Sequence, residues 1–123
     1  RDRFAELVGI ELVEVSKGWA VARLAIQEHH LNTIKTVHGG ALFALADFAF
    51  AVASNSYGTV AVGINVSISY VKAATGGVLT AEARETSLNP RLATYTVDVK
   101  DEQGDLVALF QGMVYRKKDP LPR

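Results

Sequence analysis

Asp47 is the one acidic residue in an apolar run from Ala41 to Ala53, and His38-Gly39-Gly40 stands directly ahead of that run. A carboxylate among apolar side chains costs free energy unless it has partners or a task, so its placement is the chain's strongest pointer to chemistry. Two glycines at a helix start let a ligand approach the backbone. The unpaired N–H groups there, aided by the helix dipole, favour an oxyanion, and Gly40 is the donor assigned to it. A carbonyl carbon lodged at that end could be attacked by Asp47 itself, giving an anhydride, or by water that Asp47 deprotonates. The residues leave both routes open. Asn32, upstream of His38, is the candidate to orient that water or carbonyl by hydrogen bonding.

Each of these residues has a plainer reading. Asp47 could be a structural carboxylate, Asn32 a turn former and Gly39-Gly40 a simple turn. His38 is expected to fix the helix start rather than to carry a proton. Adjacent histidines tend to point apart, and no Asp or Cys follows His29-His30 at ligand spacing, so that pair is read as solvent-exposed and no metal is expected. Seven residues separate Gly40 from Asp47, which puts them on a similar side of a helix but about 10 Å apart along its axis. One carbonyl cannot readily touch both. The distance closes if Asp47 of one copy faces the Gly40 end of another in an antiparallel helix pair, which predicts an active site at a dimer interface.

The elements that must hold these residues are read from hydrophobic period. Asp2 to Val8 has helical spacing with Gly9 as a stop. Ile10 to Val15 and Trp19 to Ile26 form a hairpin about Ser16-Lys17-Gly18. Gln27 to Val37 turns polar and is expected to be a loop. Gly40 to Ser54 is apolar on nearly every face, so its helix should be surrounded by protein, with Asn55 to Gly58 ending it. From Val60 to Tyr70 the period changes to two, predicting one packed face and one small polar face. Leu79 to Arg84, Ala93 to Val99 and Leu106 to Arg116 read as further antiparallel strands, and the charged tail beyond Lys117 is expected to fray. The sum is an α+β fold, a curved antiparallel sheet wrapped around one long central helix, as a single domain over residues 1–123.

Composition narrows the function classes. Hydrophobic residues make up 49% of the 123 and charged residues 21%, which are ordinary globular values. Thirteen basic and 13 acidic side chains cancel, so no general attraction to nucleic acid is expected. The absence of cysteine excludes thiolate nucleophiles and thiolate metal sites and fits a cytoplasmic location. The apolar run around Asp47 is too short for a membrane span, and no signal-like start is visible.

The spacing of Asn32, His38-Gly39-Gly40 and Asp47, with Leu45 to Ala51, Ser69-Tyr70 and Ala93-Thr94-Tyr95, resembles the hotdog-fold acyl-CoA thioesterases of the phenylacetate-degradation, PaaI-like type. The resemblance implies hydrolysis of an acyl- or aryl-CoA thioester without a separate cofactor, coenzyme A being part of the substrate. It implies a homodimer or dimer of dimers and nucleotide contacts from the strand ends around Tyr70 and Lys72 and from the Ser87, Asn89 and Arg91 connection. Arg91 is preferred over Lys72 and Arg84 as the phosphate partner. Gly63 stands where relatives often carry Ser, so one site hydrogen bond is expected to be missing. Alternatives within reach are a hydratase or dehydratase of β-hydroxyacyl thioesters, and a non-catalytic acyl-CoA binding module.

Overall fold

The computed structural model describes residues 2–122. Helix α1 (Arg3–Val8) starts where the Asp2 carboxylate accepts the Ala5 N–H and stops at Gly9, whose φ of 100° only glycine adopts without strain. Strands β1 (Ile10–Ser16) and β2 (Trp19–Ala25) form the expected hairpin, with Gly18 at φ 73° in the turn. Helix α2 (Gly39–Ser54) follows. Then come β3 (Thr59–Tyr70), β4 (Val78–Leu88), β5 (Leu92–Lys100) and β6 (Leu106–Pro120). All pairings are antiparallel, and the sheet order is β1-β2-β4-β5-β6-β3.

Helix α2 lies across β2, β4 and β5. Its residues Leu42, Leu45, Ala46, Ala49, Phe50 and Ala53 are buried against the alternate residues Ala81, Ala83, Tyr95, Val97 and Val99 of the sheet. Small residues on β2 and β4 let the helix approach closely, while Leu45 and Phe50 each contribute about 1.5–3 kcal/mol by burial. This is the curved sheet around one helix that the sequence predicts.

Four local expectations are corrected. The helix is apolar all round but buried on one side only: Phe43, Asp47, Phe48 and Val52 are half-buried and Ala51 is exposed. Likewise β3, an edge strand, packs neither face fully, and Val62, Ile64 and Val66 remain 43%, 54% and 39% exposed. The residues are apolar enough to be covered, yet none of the described residues covers them. The tail beyond Lys117 does not fray: β6 runs to Pro120, which stands opposite Thr59. The segment 27–37 is not plain loop, since residues 28–30 form a 3-10 turn and Leu31 bridges to Val37.

Candidate active site

The start of α2 is organised by its cap. His38 is extended (φ −60°, ψ 137°), and its Nδ1 accepts the Gly40 N–H at 2.8 Å, while its carbonyl accepts from Ala41 and Leu42. Among the first four N–H groups of the helix, Gly39 alone has no partner among the described residues. The N–H left unpaired is therefore that of Gly39, whereas the spacing points to Gly40. The acceptor role of Nδ1 fixes the neutral His38 ring with its proton on Nε2. Tyr70 closes the other side of this corner: its hydroxyl donates to the Gly39 carbonyl at 3.1 Å, and a Cβ on Gly39 would meet its ring at 3.2 Å. Gly39, Leu42, Tyr70 and Lys72 line one open cavity of about 370 Å³.

Asp47 stands two turns further along. It is half-buried and forms no hydrogen bond or ion pair with any described residue. Burial raises its pKa from 3.8, and the negative charge of Asp2 raises it further. Asp47, Gly40, Phe43, Ala44 and Phe48 share a cavity of about 180 Å³ with Asp2, Phe4 and Ala5, so α1 forms one of its walls. Phe43, one turn before Asp47 on the same flank, packs its ring edge-on against Phe110 of β6 at 5.6 Å. The carboxylate thus projects from the flank of α2 that faces α1 and Ile10 at the start of β1.

Asn32 is committed to its own loop. Its Oδ1 accepts from the Ile34 and Thr36 N–H groups and its Nδ2 donates to the Thr36 hydroxyl, which leaves one amide hydrogen for anything else. Its turn-forming role is real, and Lys35 in the same loop takes the left-handed conformation at φ 66°. The expectation that His29-His30 is solvent-exposed fails at His30, which is 4% exposed, with Nδ1 accepting from Gln27 N–H and Nε2 bonded to the Val8 carbonyl. A loop histidine is buried here because both ring nitrogens find backbone partners.

The nucleotide candidates separate into two places. Tyr70 and Lys72 lie by the start of α2, whereas Ser87, Asn89 and Arg91 lie at the β4-β5 turn. Tyr70 stands opposite Ala108, itself opposite Val99, and Val99 lies six residue steps along β5 from Ala93 beside that turn, about 20 Å. One chain does not bring the two groups together. Lys72 is already neutralised, its Nζ pairing with Asp101 at 2.7 Å and Asp105 at 2.8 Å. Its hydrogen bond holds the Asp101 carboxyl below the usual range. Arg84 is likewise tied to Glu82 and Asp98. Arg91 has no side-chain partner among the described residues, and the Asn89 side chain shapes its loop by accepting from the Arg91 and Leu92 N–H groups. Ser87 shares its hydroxyl with Thr94.

Gly63 faces α2. A Cβ there would meet the Phe50 ring at 3.2 Å, and one on Gly112 would meet it at 2.7 Å. The two strand glycines make the slot for Phe50, a role that a lone glycine inside an alternating strand could have signalled. No cluster of three metal-ligating side chains is formed among the described residues.

A model of the thioesterase superfamily matches residues 34–108, more than half of the chain. The chain therefore belongs to that superfamily, and its fold is the hotdog. The acyl-coenzyme A thioesterase PaaI of Escherichia coli is 34% identical over 94% of this chain and 83% of its own length. The solved structure of E. coli PaaI, from the phenylacetic acid degradation operon, matches with a TM-score of 0.95 at 33% identity, covering 98% of this chain and 88% of that one. A mutant of phenylacetic acid degradation protein PaaI from Thermus thermophilus matches with a TM-score of 0.90 at 42% identity, over 94% of this chain and all of that one. The protein is a PaaI-like thioester hydrolase.

Proposed function

We propose that the chain hydrolyses acyl- or aryl-CoA thioesters at a site built between two copies, with Asp47 from one and the free N–H of Gly39 from the other. The observation that carries this reading is a half-buried carboxylate with no partner among the described residues, about 12 Å along the helix from the one unpaired donor among the first four N–H groups at its start. Both groups lack a counterpart, and a two-fold pairing supplies each with one. The exposed apolar residues of β3 and the open flank of α2 give that pairing its surface, and an antiparallel meeting of two β3 edges closes after two copies.

The same symmetry gathers the nucleotide contacts. Antiparallel β3 edges set the Tyr70 end of one copy beside the β4-β5 end of its twin, so Arg91 of the partner subunit reaches the end of the site where Gly39 and Tyr70 lie. Arg91 is then the phosphate contact, since Lys72 is spent on Asp101 and Asp105. The thioester oxygen rests on the Gly39 N–H, which strengthens its hydrogen bond as negative charge develops. Asp47 attacks the carbonyl carbon or takes the proton of the attacking water, and the raised pKa makes it the stronger base for that step. The carbon–sulfur bond then breaks to leave a thiolate, a good leaving group that needs no strong acid. Asn32 contributes its remaining amide hydrogen, and His38 holds the donor corner in shape. His38 has one ring nitrogen engaged as a cap, which favours hydrolysis over a hydratase reaction relying on a free His with a carboxylate.

The test is release of free thiol from a panel of aryl- and fatty acyl-CoA compounds. The parent cleaves at least one, Asp47→Ala does not, Gly39→Pro does so at least about 100-fold more slowly, and mixing the two impaired variants through an unfolding and refolding cycle restores part of the activity. Cleavage by Asp47→Ala at the parental rate refutes the reading. Mixed variants that stay inactive place donor and carboxylate in one subunit.

A further inference from the structure

The buried imidazole of His30 occupies a junction that the hydrolytic reading does not use. Its Nδ1 faces the Gln27 N–H at 2.8 Å and its Nε2 faces the Val8 carbonyl at 2.6 Å. A backbone N–H only donates and a carbonyl only accepts, so the ring must be neutral, with the proton on Nε2. The Val8 carbonyl belongs to the last residue of α1, the helix whose Phe4 and Ala5, with the capping Asp2, wall the Asp47 cavity. The His30 backbone carbonyl accepts the His38 N–H at 2.8 Å, and the His30 N–H donates to the Gln27 carbonyl at 2.9 Å. His38 in turn caps α2 and presents the Gly39 donor.

One residue therefore holds both surroundings of the proposed chemistry: its side chain ties down the wall beside the carboxylate, and its main chain ties down the residue before the oxyanion donor. We infer that His30 is a positioning residue that fixes α1 and the His38-Gly39 corner in a single frame. The inference rests on the hydrolytic reading for its kinetic consequence, but not for its structural one. A packing role alone would be met by any side chain of similar volume. The observed pair, one acceptor and one donor at opposite sides of a five-membered ring, requires imidazole. Asn can keep the acceptor towards Gln27 but is too short to reach Val8, so His30→Asn severs the α1 tie while preserving the loop. Misplacement of about 1 Å at a reacting group costs on the order of 100-fold in rate.

The experiment compares the parent, His30→Asn and His30→Ala by thiol release and by amide NMR. With His30→Asn the expected result is a kcat lower by about tenfold to 100-fold with KM changed by less than about threefold. The amide resonances of Gly39 and of α1 should shift while the thermal transition stays cooperative. Added imidazole should restore kcat in His30→Ala, whereas pyrrole, which donates but does not accept, should not. Parental kcat in a folded His30→Asn overturns the inference, as does rescue by pyrrole equal to that by imidazole. If His30→Ala does not fold, His30→Asn decides alone. If the parent cleaves no thioester, the hydrolytic reading has failed, and the inference is judged on the amides: unmoved Gly39 and α1 resonances in His30→Asn overturn it, and joint movement upholds it.

Discussion

The Nδ1 of His38 accepts the N–H of Gly40 at 2.8 Å, and this bond decides which of two neighbouring glycines keeps an unpaired N–H. With Gly40 engaged by its own cap, the exposed donor is Gly39, whose carbonyl is meanwhile held by Tyr70. The corner is fixed from both sides before any substrate arrives, which is what an oxyanion site needs in order to avoid reorganising during the reaction.

Gly39→Pro should remove the free donor and little else. The position is the first of the helix, where proline is well tolerated, and His38 already has the extended conformation preferred before proline. A kcat lower by about 100-fold to 1000-fold is expected, with helical content by circular dichroism unchanged. Tyr70 must yield slightly to the added ring, so Tyr70→Phe serves as the control for that movement.

Asp47→Asn should abolish turnover and raise the thermal midpoint at neutral pH by a few degrees. The sign follows from the raised pKa: between 3.8 and the native value the folded chain holds a proton that the unfolded chain has released, so stability falls as pH rises through that window. The penalty is complete above it. Melting curves from acid to neutral pH should show the parent losing ground to the variant as pH increases.

Arg91→Ala should raise KM for CoA thioesters by about threefold to tenfold with kcat nearly unchanged, as loss of a contact to a remote phosphate does. Lys72→Ala should leave KM within about twofold, because its ammonium is already shared by Asp101 and Asp105. Comparing both with a short thioester that lacks the nucleotide tests the assignment: the Arg91 effect should vanish there.

Gly112→Ala should cost about 1–3 kcal/mol, read as a lower midpoint in urea. The new methyl would lie 2.7 Å from the Phe50 ring, which is pinned by Tyr95 and Phe110 at centroid distances of 5.8 and 5.3 Å and cannot swing away. Phe50→Leu in the same chain should recover part of the loss by vacating the slot.

The fold was legible because its periods are clean. Ala93, Tyr95, Val97 and Val99 alternate and are all buried, and the glycine turns fall where the backbone needs positive φ. Apolarity reports that a residue can be buried, but not which surface buries it, so the helix looked enclosed when one flank of it is open. Asp47 was visible by contrast with its neighbours. The choice between Gly39 and Gly40 was not, because it turns on which N–H the His38 ring reaches. His30 was misjudged because its polar partners are backbone atoms, and a main-chain carbonyl leaves no trace in residue type.

Strand β3 carries no charged residue and no proline from Thr59 to Tyr70, and it ends the sheet. A newly made chain thus displays an adhesive rim with nothing to repel the wrong visitor. In the proposed pairing, such a rim makes the lifetime of a solitary chain depend on how soon a twin is met. In that pairing, Ile64→Lys puts a charge on the rim and should hold two copies apart.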